Sequence, residues 1–281
     1  MTTNERGSSR ATPHERGVVY LAFGQKFLLM ALNSANTLKN LNPHIAVQII
    51  TNQKIGKKHI NETLGFIVDH VTFIGRPDTD NRLIKTTIID YCVFEHALYL
   101  DCDTYVRGDL SGLFEITEGY DVSLRANTHP YNFNLSVSRY RFDIPYSPEL
   151  FPHFNGGVFV FKKNKASKSF FKHWYKNFIK LENKADQPAL VTSFYECREK
   201  LKYLPLPAIF NATPGYLPKA HRDKIVIVHY GLSYKSFWYL SKISAKLSQN
   251  SEQLWKAPKN RISYSFNIFL LVQQLLRVLK Q

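Results

Sequence analysis

The sequence contains little cysteine and no long apolar run. Only three of its 281 residues are cysteines: Cys92, Cys102 and Cys197. An odd number of cysteines without C-x-x-C spacing argues against a disulfide framework and a cysteine zinc site. No segment reaches the roughly 20 consecutive apolar residues of a transmembrane helix. Residues 1–17 lack the apolar stretch of a signal peptide, so we expect a cytoplasmic protein. The N-x-S/T sequons are then interpreted as chance matches; they begin at Asn61, Asn134 and Asn211.

Negative charge is also scarce. The chain has 37 lysines and arginines against 22 acidic residues, a formal net charge of +15. Such a surface attracts anions, whether nucleic acid, lipid headgroups or a phosphorylated substrate. We find no zinc finger, RNA-binding aromatic motif or basic recognition helix, so no nucleic-acid partner is expected. A basic nucleic-acid-binding protein is kept as the alternative that is not an enzyme.

What the sequence does contain is an alternation of strands and helices. With 44% hydrophobic residues, it is rich enough for a large core. Apolar β-branched runs predict strands at 17–23, 45–51, 68–74, 97–100, 121–124, 157–161 and 225–228. Apolar residues at helical spacing predict helices at 27–38, 82–93 and 166–181. The first strand, helix and strand form a βαβ unit, which predicts an α/β fold with a mostly parallel central sheet flanked by helices.

The chain divides into three segments on the same evidence. Residues 1–16 are polar and predict a disordered lead-in, and 17–240 form one α/β domain. Residues 128–152 lack periodicity and are interpreted as a long functional loop. Residues 241–281 combine lysines and aromatic residues with an apolar run and predict a basic, amphipathic helical extension. This extension either contacts an anionic membrane peripherally or packs on the domain or on another subunit.

Two aspartates end the strand at 97–100. Asp101 and Asp103 follow Leu98-Tyr99-Leu100 directly. The carboxyl ends of strands in open α/β sheets are where ligands bind. Two carboxylates one residue apart can offer oxygen ligands to one hard cation, with the side chain of Cys102 between them facing away. His229 follows the last apolar strand and is either a third ligand or a hydrogen-bonded residue at the end of a strand.

Several further motifs follow these in a fixed order, and together they resemble the nucleotide-sugar glycosyltransferases of the GT-A fold, especially glycosyltransferase family 8. The resemblance covers roughly residues 18–235. It rests on Tyr-Leu-Ala-Phe-Gly at 20–24, the helix at 82–94, Leu-Tyr-Leu-Asp-Cys-Asp at 98–103, Phe-Asn-Gly-Gly-Val-Phe at 154–159, Asp-Gln-Pro-Ala-Leu at 186–190, Leu-Pro at 204–205, Phe-Asn at 210–211, and His-Tyr-Gly at 229–231 with Lys235. The order is more specific than any single motif.

The resemblance implies a role for each matching residue. Asp101, Asp103 and His229 would hold Mn2+ or Mg2+. The remaining donor-binding residues would be Ala22, Phe23, Gly24, Lys85, Cys102, Asn155, Gly156, Gly157, Gly231 and Lys235. Asp186 and Gln187 would lie at the reaction centre. Residue by residue, the alternatives are that Gly156 and Gly157 form a turn, that Asp186 caps a helix, and that Lys85 and Lys235 are solvated.

The implied activity is transfer of a sugar from a nucleotide-diphosphate sugar, with UDP preferred, to a hydroxyl of a glycan or other acceptor. A sugar nucleotidyltransferase is the enzymatic alternative, although the loop at 23–27 has one glycine where such an enzyme needs a glycine-rich phosphate loop. A degenerate domain that binds donor without turnover is another. The ending departs from the family, because His229 and Gly231 are closer together and the usual proline after Lys235 is absent. Retention or inversion of anomeric configuration, the donor sugar and the oligomeric state stay open.

Overall fold

The computed structural model describes residues 15–64, 68–126, 142–145, 152–182, 186–213 and 223–230. Its strands are β1 (Arg16–Ala22), β2 (Ala46–Thr51), β3 (His70–Phe73), β4 (His96–Leu100), β5 (Thr104–Val106), β6 (Val122–Ala126), β7 (Phe154–Lys162), β8 (Tyr203–Pro205) and β9 (Ile227–His229). Its helices are α1 (Gln25–Leu41), α2 (Lys57–Leu64), α3 (Asn81–Lys85), α4 (Ile88–Tyr91), α5 (Ser111–Ile116), α6 (Lys165–Leu181) and α7 (Gln187–Cys197). Residues 1–14 and 231–281 lie outside the described residues, and with them most of the predicted lead-in at 1–16 and all of the predicted extension at 241–281; so does most of the predicted loop at 128–152.

A seven-stranded sheet organises the domain, in the order β3-β2-β1-β4-β7-β6-β8. All neighbouring strands are parallel except at β7, which runs antiparallel to both β4 and β6. The prediction of a mostly parallel sheet flanked by helices is confirmed. A separate two-stranded sheet pairs β5 with β9 in antiparallel fashion. It lies beyond the carboxyl end of β4, because only three residues separate β4 from β5.

Buried apolar side chains pack on both faces of the central sheet. Side chains of β1 alternate between two buried clusters, with Val18 and Tyr20 in one and Val19 and Leu21 in the other. All five residues of β4 are buried, as expected for a central strand of a parallel sheet. Because β4 is held on both faces and both edges, the loop that follows it starts from a fixed position.

One predicted helix is broken in the structure. The pattern at 82–93 predicts a single helix, but α3 ends at Lys85 and α4 begins at Ile88. Thr86 and Thr87 interrupt it, because their hydroxyls donate to the carbonyls of Leu83 and Ile84, and Thr87 leaves the helical conformation at ψ 16°. The break leaves Lys85 on the last turn of a short helix, where it reaches the end of β4.

Other boundaries differ less. β7 begins at Phe154, three residues before the predicted strand, so Gly156 and Gly157 lie inside a strand and the turn alternative is wrong. The sequence analysis did not predict β5, β8, α2 or α5, which are at most eight residues long. In the described part of the chain, no helix is long and apolar enough to cross a membrane.

His96 makes the stability of the fold depend on pH. Burial lowers its pKa from 6.5 to about 4, despite the nearby Glu118 carboxylate; Lys162 and Arg16 also lower it. The pKa of His96 is therefore lower in the folded state than in the unfolded state. The folded state has its full stability above pH 6.5 and loses part of it as the pH falls towards 4. Between pH 7.5 and pH 5, we expect His96 to cost about 2 kcal/mol of unfolding free energy.

Urea unfolding at both pH values checks this expectation when the wild type is compared with His96→Gln. Glutamine can keep a hydrogen bond to Thr117, which lies 3.0 Å from Nε2 of His96. Other titrating groups act equally in both proteins, so the difference between the two pH responses isolates His96. An equal loss of stability in wild type and variant would contradict the prediction.

Candidate active site

The loop Asp101-Cys102-Asp103, called the aspartate loop below, joins β4 to β5 and is held by hydrogen bonds to several segments. The backbone N–H of Asp101 donates to the carbonyl of Gly157 at 2.7 Å, and the N–H of Tyr230 donates to the carbonyl of Asp103 at 3.1 Å. The Cys102 thiol is buried and donates to the carbonyl of Leu21 at 3.1 Å. Its side chain therefore faces the core, as predicted, and the two flanking carboxylates face the same side of the loop.

His229 reaches these carboxylates through the small sheet. In the pairing of β5 with β9, Thr104 lies opposite His229. The Nε2 atom of His229 lies 3.3 Å from a carboxylate oxygen of Asp103 and 3.7 Å from one of Asp101. The ring packs directly against the backbone of Gly157, where a Cβ atom would lie only 2.0 Å from Cε1 of His229. The third predicted ligand is thus brought together with the other two.

The three side chains fit one divalent cation. One ligand atom from each of Asp101, Asp103 and His229 lies within 4.8 Å of the others. Two ligands at right angles around Mg2+ or Mn2+ are about 3 Å apart, and the distances of 3.3 and 3.7 Å from Nε2 of His229 to the two carboxylates are close to that spacing. Burial lowers the pKa of His229, but Asp103 and Asp101 raise it more, and the net direction is upward. The ring is therefore in a negative potential, which would equally attract a metal ion.

Asp101, Asp103 and His229 are called the cation cluster below. Lys85 connects this cluster to a third carboxylate. Its Nζ atom lies 3.0 Å from Oδ1 of Asp101 and 3.2 Å from Oδ2 of Asp186, and the side chain is almost fully buried. Burial alone would lower the pKa of Lys85, but the two carboxylates raise it above its usual value. Lys85 is therefore a permanent buried cation and not a solvated surface lysine.

Asp186 occupies the N-cap position of α7 but makes no capping hydrogen bond with its side chain. Its carboxylate turns to Lys85 instead, and its backbone carbonyl accepts a hydrogen bond from Trp174 Nε1 at 3.1 Å. The helix-cap alternative is thus correct for the backbone position and wrong for the carboxylate. The Gln187 side chain donates to the carbonyl of Phe154 at 3.4 Å, which holds it beside the start of β7.

Tyr99 and Lys85 both bind the same carboxylate oxygen of Asp101. Its hydroxyl donates to Oδ1 of Asp101 at 2.7 Å, and Lys85 donates to the same atom. The Oδ2 atom of Asp101 is the one nearest to His229. Because Oδ1 already accepts two hydrogen bonds, Oδ2 is the oxygen that can bind a cation.

Removing the Tyr99 hydroxyl should weaken cation binding without unfolding the protein. In Tyr99→Phe, the ring can keep its stacking on Phe159, whose centroid is 4.6 Å away. The carboxylate of Asp101 loses one of the two donors that orient it. Loss of such an outer partner typically weakens a metal site by about 10-fold or more. Isothermal titration with Mn2+ checks this, and an unchanged affinity would show that Lys85 alone orients Asp101.

Asn155, Gly156 and Gly157 follow one another in β7, and they differ in the contacts that they make. The Asn155 side chain accepts a hydrogen bond from the backbone N–H of Gly157 at 2.8 Å. A Cβ atom on Gly156 would meet Leu190, Asp186 and Lys85 at 3.6 to 3.8 Å, which is ordinary contact. Gly156 therefore lies beside Lys85 and Asp186, and no neighbour in the described structure demands a glycine there.

Three further predicted donor residues, Ala22, Phe23 and Gly24, lie at the carboxyl end of β1, the strand next to β4. Ala22 and Phe23 are fully buried and belong to opposite core clusters. Gly24 is also buried; it has φ +80°, and its N–H donates to Asn52 at 2.7 Å. Their contact with a base or ribose stays a prediction. Gly231 and Lys235 lie outside the described residues.

Sequence reasoning assigned no role to two residues that hold the cluster. Tyr99 was part of a predicted strand, and Asn211 was part of a Phe-Asn motif. Asn211 is fully buried, and its side chain contacts both His229 and Asn155 at 3.1 Å. The only signal for Tyr99 was its position two residues before Asp101, on the same face of the strand. Burial of Asn211 agrees with the interpretation of its sequon as a chance match.

Comparison with known proteins agrees with this geometry. The profile of glycosyl transferase family 8 matches residues 18–238. No curated protein matches the sequence. Among solved structures, the glycosyltransferase GlyE of Streptococcus pneumoniae is 18% identical with a TM-score of 0.53, covering 88% of this chain and 67% of GlyE. The galactosyltransferase LgtC, solved with donor and acceptor sugar analogs, is 16% identical with a TM-score of 0.53, covering 81% of this chain and 95% of LgtC.

A third similar structure is the bifunctional glycosyltransferase WbbM, which is 15% identical with a TM-score of 0.54, covering 88% of this chain and 52% of WbbM. At these identities the structures establish a shared fold, that of the GT-A glycosyltransferases. The profile match extends over most of the chain, from β1 past His229. The chain therefore belongs to glycosyl transferase family 8 and is a glycosyltransferase.

Proposed function

We propose that the protein is a metal-dependent glycosyltransferase that moves a sugar from a nucleotide-diphosphate sugar, with UDP as the preferred nucleotide, to a hydroxyl of a glycan or other acceptor. The observation that carries the proposal is the convergence of Asp101, Asp103 and His229. Mn2+ or Mg2+ held there would neutralise the negative charge that develops on the departing diphosphate. Family membership supports the reaction class.

The surroundings of the cluster support a sugar site beside it. Asp186 and Lys85 both lie beside Gly156, 3.7 and 3.8 Å from the position of a Cβ atom there, which gives a donor sugar at Gly156 a carboxylate and a cation within reach. A glycine under the sugar leaves room for the ring. We assign the sugar to the space above Gly156, with Asn155 and Gly157 completing the floor and Gln187 at its side.

Asp186 is the residue we propose at the reaction centre. Lys85 compensates its negative charge, with Nζ 3.2 Å from Oδ2 of Asp186. An ionised carboxylate can accept a proton from an acceptor hydroxyl in an inverting reaction, or stabilise positive charge on the sugar in a retaining one. The stereochemistry of the product, read by NMR of the fresh glycoside, distinguishes these two roles.

We further propose that the enzyme works in the cytoplasm, where nucleotide sugars are available, and that the basic segment at 241–281 can hold it peripherally on an anionic membrane. The net charge of +15 supports attraction to such a surface. Purified protein and a variant ending at residue 240 can be sedimented with anionic liposomes at low salt. Equal binding by both would refute the role of the segment.

The function is tested by thermal unfolding with a panel of UDP, GDP and CMP sugars, each with and without MnCl2. A donor at 100 times its dissociation constant should stabilise the protein by about 3 kcal/mol, or roughly 5 °C or more, and only when Mn2+ is present. Donor hydrolysis measured on the same panel reports turnover. Stabilisation without hydrolysis or transfer would indicate a donor-binding domain, and no stabilisation by any donor would refute the proposal.

A further inference from the structure

Asn211 is a buried amide between the cation cluster and the strand beneath it. It follows the short 3-10 turn Ala208–Phe210 and is fully buried. One end of its side chain lies 3.1 Å from Nδ1 of His229, and the other lies 3.1 Å from Oδ1 of Asn155. Its backbone carbonyl accepts a hydrogen bond from the Arg125 guanidinium, which is itself buried. Both polar groups of the side chain are therefore used.

The hydrogen-bond chain fixes which end of the amide is which. The Asn155 atom that faces Asn211 also accepts a bond from the backbone N–H of Gly157, at 2.8 Å. A backbone N–H can only donate, so that atom of Asn155 is an oxygen. The Asn211 atom facing it must then be the amide nitrogen, which leaves the amide oxygen towards His229.

An amide oxygen opposite Nδ1 requires that Nδ1 carry the proton. In the neutral imidazole ring, Nε2 is then the nitrogen with a free lone pair. Nε2 is also the atom that faces Asp103 and Asp101. The backbone of β7 thus determines, through two asparagines, that His229 presents a lone pair to the cation cluster.

We propose that Asn211 is a positioning residue that holds His229 in its cation-binding tautomer and links this ligand to Asn155 on the strand beneath the donor sugar. The proposal rests on the proposed function for the identity of the ligand as Mn2+ or Mg2+. Arg125 lies on β6, the strand next to β7, and its guanidinium donates to the backbone carbonyl of Asn211, which holds Asn211 in place. A change at Asn211 should therefore affect cation binding although Asn211 is not a cation ligand.

Replacing Asn211 by leucine tests the proposal, because leucine keeps the branched shape of the side chain and loses both polar groups. The affinity for Mn2+, read from the free-ion signal in electron paramagnetic resonance, should fall by 10- to 100-fold. In the metal-free protein, at a pH high enough to leave the His229 ring neutral, its 15N spectrum should change from the form protonated at Nδ1 to a mixture of both forms. Asn211→Asp keeps an acceptor for Nδ1 and should recover most of the Mn2+ affinity.

Asn177→Leu is the matched control. Asn177 is also a buried asparagine with two side-chain partners, Ser193 and Glu196, but it lies in α6 away from the cluster. It should lose stability and keep the Mn2+ affinity and the His229 spectrum of the wild type. The proposal is overturned if Asn211→Leu keeps both as well. If the wild type binds no Mn2+, the proposed function fails, while the ring spectrum still decides the role of Asn211.

Discussion

Replacing Asp103 by alanine is expected to reduce sugar transfer by about 1000-fold and to abolish the stabilisation by donor that depends on Mn2+. The carboxylate supplies one of three cation ligands, and loss of electrostatic stabilisation at a departing charged group has effects of this size. Because Asp103 and Asp101 repel one another beside His229, removing one carboxylate should leave the folded state intact. Transfer kinetics and thermal unfolding, each with and without Mn2+, measure the two effects separately.

Asp90→Ala serves as the control, since Asp90 is an exposed aspartate on α4 that does not belong to the cluster. It should transfer sugar at the wild-type rate. Adding a chelator to the wild type should reproduce the Asp103→Ala phenotype, and MnCl2 should reverse it only in the wild type. If Asp103→Ala keeps metal-dependent donor binding, the aspartate loop is not the cation site and the proposed function loses its main support.

Gly157→Ala is expected to have the second large effect, because it acts on His229 without changing any ligand. The new Cβ atom would lie 2.0 Å from Cε1 and 2.7 Å from both ring nitrogens. The ring must move, since Gly157 is held in β7 and its carbonyl accepts from the N–H of Asp101. We expect about 3 kcal/mol lower stability and at least 100-fold weaker Mn2+ binding. Urea unfolding and isothermal titration check the two numbers.

A double variant separates the clash from the loss of the ligand. Gly157→Ala combined with His229→Ala removes the ring that the methyl group meets, so stability should return while Mn2+ binding stays weak. The two substitutions are thus coupled in stability, as residues in contact are. Additive losses of stability would contradict the packing of His229 on Gly157.

Gly156→Ala is the neighbouring control, with a different expected outcome. Its Cβ would meet only ordinary contacts, the nearest at 3.6 Å to Leu190. Stability and Mn2+ affinity should therefore be unchanged. If the donor sugar lies above Gly156, the methyl group should raise KM for the nucleotide sugar by about 10-fold while affinity for free UDP stays the same. An unchanged KM would move the sugar site elsewhere.

Much of the central sheet could be predicted from sequence because its strands are locally encoded. The run before Asp101 is apolar at every position, and β4 is buried at every position. The broken helix at Thr86 could not be predicted from apolar spacing, because the pattern continues through both threonines. Hydroxyl groups that bond to carbonyls one turn back decided the break, and spacing does not record that competition.

The candidate site was predictable as a set of residue types, but not as a set of contacts. Asp186 fits a helix cap by sequence, and only the position of Lys85 shows why its carboxylate turns away. The link from Asn155 through Asn211 to His229 joins β7, the turn before β9 and β9 itself. Such contacts depend on tertiary pairing between distant segments, for which a single sequence carries no local signal.

The small sheet of β5 and β9 has a consequence for how the enzyme matures. It joins the aspartate loop to His229, and β6, β7, α6, α7 and β8 all lie between the two strands in the chain. During synthesis, the aspartates leave the ribosome long before the histidine that completes their site. A nascent chain that ends before β9 can form β1, β2 and β4 and still hold no complete cation site. Tight Mn2+ binding should therefore appear late in biogenesis, as a marker that the long-range closure of the domain has occurred.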